Sequence, residues 1–99
     1  MFLVSTITYP LNQVNTVTAK WQKAVAAPLP SALKRFNVLV AAEGDGIKSL
    51  AIYEVTDDKV GEGIRELTRY YIQFYDIPGF KYVLQPMMLA QESIALMPH

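Results

Sequence analysis

The 99-residue sequence contains no cysteine and a single histidine, the C-terminal His99. The absence of cysteine excludes disulfides, thiol nucleophiles and thiolate metal ligands. One terminal histidine leaves no material for a histidine-based triad, a histidine-rich metal site or a haem ligand, and we interpret it as a frayed terminus. We therefore predict no metal and no cofactor. A chain without cysteine is also compatible with a cytoplasmic protein, and that is the predicted location.

Net charge is absent as well. Lysine plus arginine and aspartate plus glutamate number nine each, so the formal net charge is zero. Without a net field there is no electrostatic attraction to nucleic acid or to an anionic membrane, and we predict neither as a partner. The first ten residues, MFLVSTITYP, have no basic start, and Ser5, Thr6 and Thr8 interrupt their apolar run. This pattern predicts a strand rather than a signal peptide or a membrane span.

Long linkers, repeats and low-complexity tracts are missing too, which predicts a single domain over residues 1–99. Residue patterns predict four strands and two long helices in the order β-α-β-β-α-β, followed by a short helix. The predicted strands cover residues 2–9, 36–42, 47–55 and 80–88, and the predicted helices cover 13–27, 60–76 and 89–97. The glycines in Glu43-Gly-Asp-Gly46 predict a hairpin turn between the second and third strands.

The helix that begins at Val60 has the clearest pattern. Its predicted buried stripe recurs every three or four residues and consists of Val60, Ile64, Leu67, Tyr71 and Phe74, while Glu62, Arg65, Glu66, Arg69 and Gln73 fall on the opposite side. Pro78 and Gly79 predict its end at 76–79. Gly61 and Gly63 weaken the first turns, which indicates close approach to another part of the backbone.

Three smaller signals complete the elements. Asn12 is the predicted N-cap of the first helix, which Pro28 and Pro30 end. Pro86 cannot donate a ladder hydrogen bond, so the fourth strand is predicted at a sheet edge or broken there. Leu89 to Met97 is ambiguous between helix and strand, and we predict a short helix.

This element order predicts an α+β fold of the ferredoxin-like type, a four-stranded antiparallel sheet with both helices on one face. Adjacent apolar pairs occur in every strand: Leu3 and Val4, Val38 and Leu39, Ile52 and Tyr53, Val83 and Leu84. Both sheet faces therefore read as buried, and we predict a homodimer that packs through the sheet face left free by the helices. Successive residues of a strand face opposite sides of the sheet, and here both sets of residues are apolar. The sequence therefore does not decide which of the two sets faces the helices.

Three segments carry a resemblance to a known superfamily: Ala51-Ile-Tyr-Glu-Val55, Arg69-Tyr-Tyr71 and Asp76-Ile-Pro-Gly-Phe-Lys-Tyr82. They resemble small bacterial proteins of unassigned function in the dimeric α+β barrel superfamily. The resemblance implies two ferredoxin-like subunits whose sheets form a barrel. Members of this superfamily include cofactor-independent monooxygenases, lactone isomerases, haem enzymes and proteins without known activity, so the resemblance does not select a reaction.

Aromatic residues supply the candidate site. A cleft between helices and sheet would bind a small apolar molecule, with Arg69 or a tyrosine hydroxyl orienting its polar group; plain core packing is the alternative for these rings. The candidate pocket residues are Trp21, Asn37, Tyr53, Arg69, Tyr70 and Tyr75. Tyr70 and Tyr75 flank the buried stripe and are better candidates for ligand contact than Tyr71.

The leading functional hypothesis is a homodimeric α+β barrel that binds a small, largely apolar molecule. One alternative is a cofactor-independent monooxygenase or isomerase, in which Asn37, Tyr53 or Arg69 would orient an acidic phenolic substrate. The other alternative is a structural or regulatory dimer that binds another protein. Whether the chain is an enzyme stays open, and no catalytic residue is assigned. The acidic pairs at Glu43/Asp45 and Asp57/Asp58 are interpreted as turn and cap residues rather than metal ligands.

Overall fold

The chain folds as β-α-β-β-α-β with a short helix after the last strand. The computed structural model describes residues 1–25 and 29–98. The strands are β1 (Phe2–Pro10), β2 (Lys34–Glu43), β3 (Gly46–Glu54) and β4 (Lys81–Met87), and the helices are α1 (Val14–Val25), α2 (Val60–Ile72) and α3 (Ala90–Ala95). The predicted element order is confirmed, including the short C-terminal helix. His99 and the predicted end of the first helix, at Ala27 and Pro28, lie outside the described residues.

The four strands form one antiparallel sheet in the order β2-β3-β1-β4. The architecture is α+β and compatible with a ferredoxin-like domain. β4 pairs only with β1 and is an edge strand, as the proline in it predicted, and Pro86 lies opposite Leu3. The hairpin between β2 and β3 is also confirmed. Its first loop residue, Gly44, has a φ of +60°, a backbone conformation that residues other than glycine rarely adopt.

The predicted stripe of α2 packs on the sheet. Leu67 and Tyr71 are buried together with Leu3 and Tyr53, and the charged side of the helix faces solvent. The predicted approach of another backbone segment to Gly61 and Gly63 is wrong: a Cβ built at Gly63 would lie 2.8 Å from Leu3 Cδ1, and one built at Gly61 would meet nothing within 4 Å. Side chains rather than backbone make this contact.

α2 ends earlier than predicted, at Ile72 instead of Asp76. The amides of Gln73, Phe74 and Tyr75 bond to carbonyls three residues back rather than four, so the helix tightens into a turn. This turn directs Phe74 and Ile77 into a second small core. Both side chains are nearly inaccessible to solvent there, so the turn contributes to the core although the helix has ended.

α1 packs mainly on that turn. Val17 is buried against Phe74 and Ile77. The predicted N-cap, Asn12, is wrong: a 3₁₀ turn, Leu11–Gln13, precedes the helix, and Pro10 occupies its N-cap position without a side-chain hydrogen bond. Proline fits here because it fixes an extended φ and has no N–H to satisfy.

Strand register divides the sheet residues into two sets, and so settles the question that the sequence left open. The helix face carries Leu3, Ser5, Ile7 and Tyr9 of β1 and, across the ladders, Val38, Val40, Ser49, Ala51, Tyr53, Tyr82 and Leu84. The opposite set includes Val4, Thr6, Leu39, Leu50, Ile52, Val83 and Met87. We call this second set the open face, because Leu39 and Val83 at its two edges are 52% and 54% exposed.

Candidate functional site

An apolar cleft of about 390 Å³ lies between α1, α2 and the helix face of the sheet. Its size falls in the range of small-molecule sites, roughly 300–1,000 Å³. Its lining residues come from five elements and the turn after α2, and they are Ile7, Tyr9, Val17, Thr18, Trp21, Val38, Val40, Ser49, Ala51, Tyr53, Tyr70, Tyr71, Phe74 and Phe80. We call this space the apolar cleft.

The cleft is open because α1 packs on the turn after α2 and not on β2. Lys20 Nζ donates to Gln73 O and to Asp76 Oδ1, each at 2.7 Å, which ties α1 to that turn. The hydrogen bond from Lys20 lowers the pKa of Asp76. Across the cleft, Val40 on β2 belongs to the helix face yet stays 65% exposed, and Trp21 is 42% exposed. Two large apolar side chains thus border an unfilled space.

One wall of the apolar cleft is a continuous aromatic cluster. The Tyr70 ring meets the edges of Tyr71 and Phe74, with centroids 4.9 and 5.4 Å away. Phe74 stacks on Phe80 at 4.7 Å, and Tyr71 stacks on Tyr82 at 5.0 Å. Rings in these edge and stacked arrangements hold one another in place, so the wall is preorganised.

Two tyrosines that line the cleft, Tyr53 and Tyr71, are almost fully buried and interact through their side chains. Burial raises the pKa of the Tyr71 hydroxyl far above its ordinary value, and the adjacent Tyr53 raises it further, while the Ser5 hydroxyl acts in the opposite direction. Ser5 is fully buried, and its Oγ has no hydrogen bond of good geometry. Tyr71 is therefore neutral at physiological pH and acts as a hydrogen-bond donor, not as a base.

A second cleft, of about 560 Å³, lies between the C-terminal half of α1 and α2. It shares Tyr53 and Tyr70 with the apolar cleft, so these two tyrosines separate the two spaces. Its rim is charged, with Lys20, Lys23 and Arg69. Arg69 is paired with Glu66, 3.2 Å from Nη1 to Oε1.

The six sequence candidates do not all meet at one place. Trp21, Tyr53 and Tyr70 line the apolar cleft, and Arg69 lines the second cleft instead. Tyr75 lies outside both clefts and is 86% exposed, since the turn after α2 directs its neighbour Phe74 inward.

Asn37 lies in the open-face set, away from both clefts. It pairs across the ladder with Ile52, and the register of β2 shifts between Arg35 and Asn37. Its Oδ1 accepts a hydrogen bond from the amide of Val38 at 2.8 Å. The alternation that follows places Val38 rather than Asn37 toward the cleft.

Sequence reasoning missed several lining residues. The two-residue hairpin loop sets the register between β2 and β3, and this register pairs Val38 with Ala51 and Val40 with Ser49. The length of the loop was therefore the signal that could have identified both valines. Tyr71, which the sequence assigned to the core, both packs in the core and lines the cleft.

Among the described residues, no group of three or more histidine, cysteine or acidic side chains is arranged to hold a metal ion. No helix in this part of the chain is long and apolar enough to cross a bilayer. Comparison of the chain with protein families, curated proteins and solved structures gives no match. The resemblance to the dimeric α+β barrel superfamily thus rests on the three sequence segments and the element order alone.

Proposed function

We propose that this protein is a homodimer of the α+β barrel type that binds a small, largely apolar molecule in the apolar cleft. The observation that carries the binding proposal is the cleft itself: an open space of about 390 Å³ with a fixed aromatic wall. Trp21 and Val40 border it while remaining substantially exposed. An apolar ligand that covers these side chains removes them from water, and this burial contributes a favourable free energy of about 25 cal/mol per Å² of apolar surface.

The hydroxyl-bearing residues of the lining define the ligand further. Tyr53 and Tyr71, together with Thr18 and Ser49, bring hydroxyl groups to a lining that is otherwise largely apolar. A ligand that fits has an apolar or aromatic body and one oxygen that accepts a hydrogen bond, such as a carbonyl or a phenol.

Tryptophan fluorescence can detect ligand binding in the cleft. Trp21 is the single tryptophan and lines the cleft, so a bound ligand changes its fluorescence. We would titrate the full chain with 8-anilinonaphthalene-1-sulfonate as the probe, and identify co-purified molecules by native mass spectrometry. Saturable quenching of Trp21 is the expected result. A linear, non-saturating response together with no co-purified mass would refute binding in the cleft.

Tyr70→Ala removes a ring from the aromatic wall and is expected to weaken probe binding about tenfold, equivalent to roughly 1.4 kcal/mol. Tyr75→Ala is the matched control, because it removes the same ring from a position outside the clefts. Thermal unfolding of both variants checks that the fold is retained. If the folded Tyr70→Ala and Tyr75→Ala variants bind the probe with equal affinity, the ligand does not bind in the apolar cleft.

The open face motivates the dimer. Leu39, Leu50, Thr6 and Val83 lie side by side in one row across all four strands. A second copy is the economical cover for such a row, because it offers the same surface in a two-fold arrangement. Sedimentation velocity tests this directly. A stable monomer at micromolar concentration would remove the dimer and leave the binding proposal standing.

An enzyme of the cofactor-independent oxygenase or isomerase kind is the competing proposal. The hydroxyls of Tyr53 and Tyr71 favour it, since they could hold a substrate oxygen. The described residues that line the apolar cleft include no carboxylate or imidazole, and the raised pKa of Tyr71 keeps that hydroxyl protonated, so it offers no phenolate as a base. The described lining therefore offers no group to accept a proton from a substrate, so we favour binding. A dimer whose Trp21 fluorescence responds to no ligand would instead favour the structural or regulatory role.

A further inference from the structure

The segment after β4 is apolar and exposed. We call residues 88–98 the tail; it contains α3. Every tail residue except Ser93 is exposed, and the large apolar side chains among them are Met88, Leu89, Ile94, Leu96 and Met97. Ile94 is 60% exposed and Leu96 is 75% exposed. Five large apolar side chains in eleven residues are unusual for a segment in contact with water.

The tail makes few polar contacts with the rest of the chain. Its backbone hydrogen bonds are local, for example from the Ser93 amide to Leu89 O at 3.1 Å and from the Met97 amide to Ile94 O at 3.1 Å. Within the described residues, no tail side chain forms an ion pair or hydrogen bond with the body of the domain.

A helix of this length does not persist alone in water. α3 has six residues, and isolated helices shorter than about 12 residues are marginal even in favourable sequences. Helical structure in proteins comes chiefly from packing an apolar side against another surface. The body of this chain covers little of α3, so the covering surface has to come from elsewhere.

We propose that the tail of one copy packs against the second copy and forms part of the dimer interface, an inference that rests on the sheet-face dimer proposed above. The tail leaves the sheet beside the open face: Met87, the last residue of β4, pairs with Phe2 and belongs to that face. The tail therefore begins directly after an open-face residue at the edge of the sheet, next to the surface that the proposed second copy covers. A second copy that covers the face also meets the tail.

The charge of the chain is compatible with this occupant. The formal net charge is zero, so two copies approach without net repulsion. Glu92 is the only charged residue in the tail, while Lys48 and Lys81 are on the open-face side of their strands. In a two-fold dimer both tails take part equally, because the symmetry repeats for one tail whatever packing the other adopts.

Hydrogen exchange of the unmodified protein tests the inference. The amides of α3 are expected to be protected at concentrations where the dimer predominates, and to lose at least tenfold of that protection where it dissociates. The midpoint should equal that of dimer dissociation measured by sedimentation. Protection that does not change with concentration would mean that the tail packs on its own chain, and would overturn the proposal.

Two full-length variants separate this inference from the dimer itself. Ile94→Ser with Leu96→Ser removes the apolar side chains and should weaken dimerisation at least tenfold. Gln91→Ser, on the same helix, is the matched control and should change it less than twofold. A double variant that dimerises as tightly as the parent refutes the role of the tail alone. A parent protein that is monomeric throughout refutes the sheet-face dimer and this inference together.

Discussion

Two glycines of α2 offer a paired test of how closely the helix approaches the sheet. A Cβ built at Gly63 would lie 2.8 Å from Leu3 Cδ1 and 3.0 Å from Leu33 Cδ2, whereas a Cβ at Gly61 would meet nothing within 4 Å. Leu3 is fully buried and Leu33 nearly so, which leaves neither side chain free to move aside. We therefore expect Gly61→Ala and Gly63→Ala to change stability in opposite directions.

The expected magnitudes follow from two effects. Alanine in place of glycine at a compatible helical position stabilises by about 0.4–1 kcal/mol, because it restricts the unfolded chain. At Gly61 this stabilisation stands alone. At Gly63 the added methyl overpacks the core at a cost of about 1–3 kcal/mol, which outweighs the stabilisation. The difference between the variants isolates the overpacking cost, since the helix effect is common to both.

Thermal unfolding at one fixed protein concentration measures this difference, and the fixed concentration is needed because dimerisation would shift the midpoint. For a domain of this size about 2 kcal/mol corresponds to roughly 8–16 °C. Gly61→Ala should melt slightly above the parent protein and Gly63→Ala clearly below it. If Gly63→Ala is as stable as Gly61→Ala, the close packing of α2 on β1 is refuted.

Three further changes probe the turn after α2 and the open face. Asp76→Asn should lower the free energy of unfolding at neutral pH, because the hydrogen bond from Lys20 lowers the pKa of Asp76 in the folded state. The difference from the parent protein should vanish as the pH falls through that pKa, since protonation of Asp76 removes the contribution of this bond. Urea unfolding over a pH series measures the difference. Gly79→Ala should destabilise by about 1–3 kcal/mol, since φ is +77° and a Cβ would lie 2.6 Å from Pro10 Cγ, which a fall in melting temperature would show. Val83→Lys should dissociate the dimer in sedimentation and leave the tryptophan response to the probe unchanged.

The parts of the fold that the sequence predicted are those with one strong local signal. The stripe from Val60 to Phe74 has a single period, so its buried side is unambiguous. Pro86 excludes a central strand by its missing donor, and β4 is indeed at the edge. The end of α2 was predicted four residues late because Pro78 forbids helix but does not require it up to that point. From Gln73 onward the backbone amides bond three residues back instead of four, and no residue pattern in the sequence signals that change.

The candidate site was only partly predictable, since it depends on which alternate residues of each strand face the helices. The neighbours Val38 and Leu39 are both apolar, so their composition does not distinguish the two faces. The register shift between Arg35 and Asn37 adds a second obstacle, because it reverses the alternation within β2. Trp21 and Tyr70, both candidates from the sequence, line the apolar cleft, and helical periodicity fixes the side of each helix on which they lie.

The same ambiguity explains how a chain of this size builds two apolar surfaces. Each strand supplies an apolar residue to both sides: Val38 to the cleft and Leu39 to the open face, with Ala51 and Leu50 as their partners on β3. The cleft and the open face are therefore on opposite sides of the same strands, one residue apart in sequence. The proposed second copy and the proposed ligand would therefore contact opposite faces of the sheet, and no residue of the open-face row lines the cleft. If both proposals hold, substitutions on one face should change ligand binding and substitutions on the other should change dimerisation, although neighbouring residues of the same strands supply both surfaces.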